Sequence, residues 1–287
     1  MKRILTITTT LLLLGTFALS AAKPVKIALW QDGAPTKNGH ENTEEKWNGP
    51  RVSEVSVPEL WIYPAKKPNG QAVICAPGGG YKYLSTDNEG KMLVDWMNTQ
   101  GITFAILKYR VPNGHPEVPL EDGRQAISIM REKASEFGVN PDEIGIMGCS
   151  AGGHFAATLA TMHGEERFRP DFEILLYPVI SMTDITHTGS RNHLLGDNPT
   201  PEMIEKYSLE NRVDSRTPPA FIVLASDDKT VDPLNTIYYV EKLQKNKIPY
   251  SLHIYPDGGH GFGFRDTNPY KAQWSGELER WLRSIRK

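Results

Sequence analysis

The 287-residue chain has only two cysteines, Cys75 and Cys149, too few for a disulfide-stapled scaffold or a cysteine-rich zinc site. It also lacks an excess of either charge, because 32 Lys and Arg face 34 Asp and Glu and the formal net charge is −2. A near-neutral chain has no general electrostatic attraction for nucleic acid or an anionic membrane. We therefore expect an ordinary globular protein with no nucleic-acid partner.

Long uncharged runs are absent except at the amino terminus. Lys2 and Arg3 precede the uncharged stretch 4–19, and small residues follow it up to Ala22. This is the layout of a secretory signal peptide. The run is interrupted by threonines and is shorter than the ~20 apolar residues that a membrane span needs. The sequence therefore predicts a signal peptide over 1–22, a secreted or periplasmic protein, and no membrane insertion.

The rest of the chain alternates short apolar runs with amphipathic stretches. The predicted strands are 52–55, 60–63, 71–76, 102–107, 144–147, 174–177, 221–224 and 251–255, and the main helices fall within 93–101, 120–137, 151–162, 239–243 and 274–285. This alternation predicts an α/β fold, a mostly parallel central sheet of about eight strands with helices on both faces. We expect an N-terminal extension over 23–50 and one catalytic domain over 51–287. The polar stretch 181–218 is expected to be irregular and to form a small lid or none.

The segment Gly148–Gly152, GCSAG, fits the pattern G-x-S-x-G. It follows a predicted strand and precedes a helix-forming stretch, which is the setting of a nucleophile elbow. Such a turn raises the hydroxyl of Ser150 above the sheet at the head of a helix, where the helix dipole favours a developing anion. The alternative is a glycine-rich turn with an idle serine.

A serine nucleophile needs an adjacent base. His260 lies in the glycine-rich segment Gly258–Gly263 just past the last strand, at the carboxyl edge where sites of α/β sheets form. His154 is the competitor, but it should point along the helix away from the turn, and we interpret it as structural.

The base in turn needs a carboxylate to orient it. In this fold the acid lies between the serine and the histidine in chain order. Three aspartates follow the strand 221–224. We favour Asp228. Asp232 is alternatively a helix N-cap, and Asp227 is alternatively a surface-turn residue.

Acyl transfer also requires hydrogen-bond donors for the oxyanion. The segment Pro77–Tyr81, PGGGY, follows the strand 71–76. Its glycines permit close approach of backbone amides, so Gly79 and Gly80, with the amide of Ala151, are the candidate oxyanion donors. Beside this loop, Tyr81 and Tyr83 either contact substrate or pack in the core.

Taken together and in order, these four motifs resemble those of secreted α/β-hydrolases of the acetyl xylan esterase and related carbohydrate esterase type. The resemblance spans about 52–287. It implies an α/β-hydrolase fold, deacetylation of acetylated plant polysaccharide by a triad of Ser150, Asp228 and His260, and no cofactor or metal. Pro77 stands where lipase-like relatives carry histidine, which points away from the hormone-sensitive-lipase group.

Other interpretations stay open at this level. A feruloyl esterase, a short-chain carboxylesterase or a dipeptidyl-peptidase-like enzyme would share the fold, and a non-catalytic carbohydrate-binding protein would share the scaffold. No sequence feature points to an oligomeric state. Cys75 and Cys149 should lie on neighbouring strands, where we favour free buried thiols over a disulfide.

Overall fold

A mixed eight-stranded sheet forms the centre of the protein. The computed structural model describes residues 23–287, so the predicted signal peptide, 1–22, lies outside the described residues. The strands are β1 (Val25–Ala28), β2 (Lys46–Asn48), β3 (Arg51–Ser53), β4 (Glu59–Tyr63), β5 (Gly70–Ala76), β6 (Leu84–Ser85), β7 (Thr103–Lys108), β8 (Val139–Cys149), β9 (Phe172–Leu176), β10 (Ala220–Ala225) and β11 (Tyr250–Tyr255). The strand order of the main sheet is β1-β4-β7-β5-β8-β9-β10-β11.

Parallel pairing dominates this sheet. From β7 across to β11 every neighbouring pair is parallel, whereas β4 is antiparallel to both β1 and β7. The predicted fold class is therefore confirmed. The segment 23–50, expected to be an extension, contributes the edge strand β1 to the main sheet. A second, three-stranded sheet has the order β2-β3-β6.

Seven α-helices accompany the strands in the described part of the chain. They are α1 (Met92–Thr99), α2 (Glu117–Glu132), α3 (Ala151–Met162), α4 (Thr188–Leu195), α5 (Pro201–Tyr207), α6 (Leu234–Lys245) and α7 (Lys271–Ser284). Successive strand residues point to opposite faces. Ile74 of β5 belongs to a hydrophobic core that includes side chains of α2, α3 and α6, and its neighbour Cys75 belongs to a second core that includes side chains of α1 and α7. Helices thus cover both faces, and none of those within 23–287 is long and apolar enough to cross a membrane.

The polar stretch 181–218 is not irregular, contrary to expectation, because it contains α4 and α5. The Thr200 side chain accepts a hydrogen bond from the amide of Met203 and Pro201 occupies the first turn of α5, so a helix start signal was present. Leu194 and Tyr207 are buried, which anchors both helices to the body of the domain. Low hydrophobicity concealed these helices because each buries only a few residues.

Both cysteines are buried free thiols, as favoured from the sequence. Burial raises the pKa of each thiol above its ordinary value. The Cys75 thiol donates a hydrogen bond to the carbonyl of Glu89 over 3.0 Å. Neither thiol is suited to act as a nucleophile, because the thiolate form is strongly disfavoured at both positions.

Candidate active site

Ser150 occupies a sharp turn between β8 and α3. Its backbone has φ +56° and ψ −122°, a left-handed conformation that is costly for a residue with a side chain. The Ser150 amide donates to the carbonyl of Leu176 (3.0 Å), and its carbonyl accepts from the amide of Val179 (3.0 Å). The strained turn is therefore fixed to the neighbouring strand and to the loop that follows that strand.

Two glycines of the GCSAG segment are required by close backbone approach. A side chain at Gly148 would collide with the carbonyl of Gly152, and one at Gly152 would collide with the carbonyl of Ala76. Strand and helix meet so tightly here that any Cβ would open the turn, which would move Ser150 relative to the sheet.

His260 connects Ser150 to a carboxylate. The Ser150 Oγ lies 2.8 Å from His260 Nε2, and His260 Nδ1 lies 2.7 Å from Asp228 Oδ2. The ring of Tyr177 packs edge-on against the imidazole with 4.9 Å between ring centroids. The structure thus brings the three predicted residues into one continuous hydrogen-bonded chain, and the aromatic contact limits rotation of the base.

Asp228 is buried and yet carries a lowered pKa. Its side chain is 1% exposed, and this burial alone would raise the pKa. The hydrogen bond to His260 and those from the amides of Thr230 (2.9 Å) and Val231 (3.0 Å) outweigh burial and hold the pKa below its usual value. Asp228 is therefore a carboxylate at neutral pH, able to stabilise a positive charge on His260.

The two competing aspartates take other positions. Asp227 accepts a hydrogen bond from the amide of Gly259 over 2.8 Å and so ties down the loop that carries His260. Asp232 accepts from the amide of Leu234 over 2.9 Å at the start of α6, in agreement with a capping role. Sequence reasoning missed the anchoring contact of Asp227, because no local pattern places that residue beside the distant glycine loop.

Glu89, which the sequence did not single out, lies buried below the site. One carboxylate oxygen accepts from the Tyr177 hydroxyl (3.0 Å) and the other from the amide of Gly78 (2.8 Å). The same tyrosine oxygen accepts from the amide of Gly263 (3.1 Å). Burial raises the pKa of Glu89 above its ordinary value, against the opposing effect of these hydrogen bonds. Glu89 therefore couples the PGGGY loop to the loop that carries His260.

The PGGGY loop presents free amides beside Ser150. Gly79 and Gly80 have φ of +136° and +63°, and both line the same cleft as Ser150. Within 23–287 their amides make no hydrogen bond, whereas the carbonyl of Gly79 accepts from the amides of Lys82 and Tyr83. Ala151 is the first residue of α3, so its amide has no partner inside the helix. All three predicted donors are thus available to a ligand.

Comparison with known proteins identifies the fold family of the chain. The model of a family described as having the alpha/beta hydrolase fold matches residues 73–264, about two thirds of the chain. The chain belongs to the α/β-hydrolase fold family. Its Ser150 turn, His260 loop and Asp228 loop all lie inside the matched range.

Two relatives and one solved structure show which kinds of α/β-hydrolase resemble this chain. An acetylxylan esterase of Xylanibacter ruminicola is 40% identical over 239 residues, which cover 82% of this chain and 50% of that protein. Endo-1,4-beta-xylanase B of Butyrivibrio fibrisolvens is 32% identical over 218 residues, 71% of this chain and 34% of that protein. The chain thus spans half or less of these relatives. A solved acetyl ester-xyloside bifunctional hydrolase from Caldicellulosiruptor lactoaceticus has TM-score 0.80 and 33% identity, covering 92% and 97% of the two chains.

Tyr81 and Tyr83 occupy different environments in this α/β-hydrolase. Tyr81 is only 2% exposed, and its hydroxyl donates to His154 Nδ1 over 2.9 Å, so it packs in the core and does not line the cleft. His154 in turn donates to the carbonyl of Tyr207, and burial lowers its pKa to about 4, which makes it a neutral structural residue as predicted. Tyr83 does line the cleft.

The cleft of the hydrolase has a volume of about 370 Å³ and a polar rim. Helix α4 places two histidines on it, His187 just before its first turn and His193 near its end. His193 Nδ1 donates to the carbonyl of Gly80 over 3.0 Å and so fixes that peptide unit. These histidines were assigned to a polar stretch from the sequence, and only the fold of α4 brings them to the cleft.

Proposed function

We propose that this α/β-hydrolase is a serine carboxylic ester hydrolase that removes O-acetyl groups from plant cell-wall polysaccharide, in the manner of an acetyl xylan esterase. The observation that carries the proposal is the unbroken hydrogen-bonded chain from Ser150 through His260 to Asp228, beside three backbone amides that have no partner in the part of the chain that the structure describes. The relative named as an acetylxylan esterase and the solved acetyl ester-xyloside bifunctional hydrolase support the choice of acyl group.

The reaction proceeds in two acyl-transfer steps. His260 accepts the Ser150 proton as Oγ attacks the acetyl carbonyl, and Asp228 stabilises the imidazolium that forms. The tetrahedral intermediate then collapses, the C–O bond to the sugar breaks, and the sugar alcohol leaves with the proton from His260. Water attacks the acetyl-enzyme by the same route and releases acetate, which restores the Ser150 hydroxyl.

The backbone amides stabilise the charge that develops on the carbonyl oxygen. Gly79, Gly80 and Ala151 are the proposed donors, and one such donor contributes about 10²–10³-fold in kcat. They are held in place before substrate binds, because Glu89 fixes the neighbouring amide of Gly78 and His193 fixes the carbonyl of Gly80. This preorganisation avoids the cost of orienting dipoles during the reaction.

We further propose that residues 1–22 direct export, so that the esterase meets its polymeric substrate in the medium or in the periplasm. The basic start, the uncharged run and the small residues before Lys23 support this proposal. An intact-mass measurement of protein recovered from the medium or periplasm should show a chain beginning near Lys23. A full-length mass in those fractions would contradict export with cleavage.

The central test replaces Ser150 with alanine. Ser150→Ala should lower turnover of 4-nitrophenyl acetate by at least about 10³-fold, since it removes the nucleophile, and should abolish labelling by a fluorophosphonate. Ser128→Ala, on the exposed side of α2, is the matched control and should keep full activity. Retention of the rate by Ser150→Ala would refute the assignment.

An acyl series defines the substrate class. Acetate release from acetylated xylan should exceed hydrolysis of longer acyl esters and of feruloyl esters under the same conditions. A rate that rises beyond butyrate, or is highest with feruloyl esters, would assign the site to a general carboxylesterase or a feruloyl esterase. Glycan binding by wild-type protein that Ser150 reagents do not label would instead indicate a binding protein.

A further inference from the structure

Three cationic side chains converge on the cleft that contains Ser150. Arg51 comes from β3, Lys82 follows the PGGGY loop, and Arg265 follows the segment that carries His260. They are 31 and 183 residues apart in sequence, so only the fold brings them together. All three residues are exposed, which leaves their charged groups accessible to a bound molecule.

None of the three cations is neutralised by the protein. Within 23–287, no carboxylate lies within 4.0 Å of Arg51, Lys82 or Arg265, and none of their side chains donates a hydrogen bond. Elsewhere on the surface, ion pairs between basic and acidic side chains are common, as between Lys91 Nζ and Asp87 Oδ1 at 2.7 Å. The three cations of the cleft therefore have no ion-pair partner, and Glu89 attracts Arg265 without contacting it.

The cleft also has few acids of its own. Among residues 23–287, Glu89 is the only carboxylate that lines it, and both oxygens of Glu89 already accept hydrogen bonds from Tyr177 and Gly78. Asp227 and Asp228 face the His260 loop and do not line the cleft. A chain of formal net charge −2 thus carries a locally positive cleft at its proposed catalytic serine.

Two features hold the cations in position. The Arg51 guanidinium lies 4.8 Å from the centroid of the Tyr83 ring, a cation–π contact that orients it. Its backbone is paired with Ser85 of β6, directly after the PGGGY loop. The amide of Arg265 closes a turn on the carbonyl of Phe262 over 3.3 Å. The positive groups are thus presented from fixed backbone.

We propose that the cleft selects acetylated oligosaccharides that carry uronic acid, with a substrate carboxylate bound between the guanidinium groups of Arg51 and Arg265 and near Lys82. The inference rests on the proposed deacetylase function and names its substrate class. A guanidinium matches a carboxylate in a planar, two-bonded geometry, which gives orientation as well as attraction. A neutral sugar offers these three groups only uncharged oxygen acceptors, whereas a uronate supplies a negative charge and would align an acetyl group on a neighbouring sugar with Ser150.

The first experiment compares two substrates that differ in one charge. Acetate release is measured on acetylated oligosaccharides that carry glucuronic acid, and on the same oligosaccharides with that carboxyl group methyl-esterified. We expect kcat/KM to be about tenfold higher for the acidic form at low salt, since each exposed ion pair contributes a few-fold. The preference should shrink at 0.5 M NaCl because salt screens exposed charges. Equal kcat/KM for the two forms would overturn the proposal.

The second experiment moves the charge on the protein. Arg51→Gln and Arg265→Gln should each lower the acidic-to-neutral ratio of kcat/KM by about threefold, and Arg265→Glu should invert it. Arg280→Gln, an exposed arginine of α7 outside the cleft, should leave the ratio unchanged. Thermal unfolding verifies that all four variants are folded. A ratio that is insensitive to both Gln variants and to Arg265→Glu would refute the assignment of these residues.

Turnover of 4-nitrophenyl acetate separates this inference from the proposed function. An enzyme that hydrolyses the aryl acetate through Ser150 but treats acidic and neutral oligosaccharides alike is an esterase without uronate selectivity. An enzyme that hydrolyses none of these esters contradicts both proposals.

Discussion

Two buried carboxylates, Asp228 after the carboxyl end of β10 and Glu173 near the start of β9, have pKa values shifted in opposite directions. Burial acts on both in the same direction, since it disfavours the charged form. Asp228 at the edge has His260 and two backbone amides as partners, and its pKa is below the usual value. Glu173 on β9 has one partner, the Tyr239 hydroxyl at 2.8 Å, and burial raises its pKa to about 8. The number and charge of the partners, rather than burial, decide which carboxylate is ionised.

A third buried carboxylate, Glu89, shows that the charge of the partner affects the pKa as well as the number of partners. It has two hydrogen-bond donors, but both are neutral, and its pKa stays above the ordinary value. Of these three carboxylates, only Asp228, which contacts His260, has a lowered pKa. The negative charge of Asp228 is therefore stabilised at the position where a positive charge develops on the base.

The largest expected effect comes from removing the charge at Asp228. Asp228→Asn should lower kcat on 4-nitrophenyl acetate by about 10⁴-fold, because a neutral amide neither fixes the tautomer of His260 nor stabilises its protonated form. Asp232→Asn, which alters only the start of α6, is the matched control and should retain the wild-type rate. Less than a tenfold loss in Asp228→Asn would show that another group supports the base.

An intermediate effect is expected at Glu89. In Glu89→Gln only one oxygen remains as acceptor, so either Tyr177 or the amide of Gly78 loses its partner, which costs about 1–3 kcal/mol of stability. The resulting shift of the PGGGY loop should lower kcat by up to about 10²-fold, with little change in KM. Urea unfolding and steady-state kinetics measure the two effects.

The exposed Glu136→Gln is the control for Glu89→Gln, and it should change neither stability nor rate. Unchanged kcat in a destabilised Glu89→Gln protein would restrict Glu89 to a structural role.

The smallest effect on activity, and the sharpest on pH dependence, is expected at Glu173. The folded state holds its proton up to about pH 8, whereas the ordinary value is 4.5. The folded state thus binds more protons than the unfolded state between these values. The contribution of this group to the free energy of unfolding should therefore be greatest below pH 4.5 and decline as pH rises to 8, by at most about 1.4 kcal/mol per pH unit.

Glu173→Gln cannot ionise, so its stability should not show this decline. Between pH 4.5 and 8, its free energy of unfolding should therefore increase relative to that of the wild type, while its kcat is unchanged. Urea unfolding at pH 5, 6.5 and 8 tests this expectation. Parallel pH profiles for the two proteins would show that Glu173 is not buried in its protonated form.

Local sequence patterns were sufficient for some parts of the site and not for others. Ser150 and His260 stand in glycine-rich turns directly after strands, so a few neighbouring residues define both the turn and its place at the edge of the sheet. The structure brings Asp228 to His260, and its role as the catalytic acid stays a prediction. The choice among three nearby aspartates rested only on the usual spacing from the strand end.

Other contacts depend on the packing of distant segments. Glu89 meets Tyr177 across 88 residues and His193 meets Gly80 across 113, and no periodicity encodes either approach. Tyr81 was ambiguous because an aromatic residue beside a glycine loop fits core and cleft equally well, and its partner His154 lies 73 residues away in the chain. The two helices in 181–218 were missed because hydrophobic patterning is weak where only one side of a short helix is buried.

The small sheet of β2, β3 and β6 has a consequence for how this enzyme could be altered. Arg51 enters the cleft on a hairpin that lies outside the matched range 73–264 and pairs with β6. The buried side chain of Val52 and the stacking of Trp47 on Trp61 also join this hairpin to the body of the domain. An exchange of the hairpin for its counterpart from a relative that keeps these contacts should change the charge at one side of the cleft while Ser150, His260 and Asp228 stay in place.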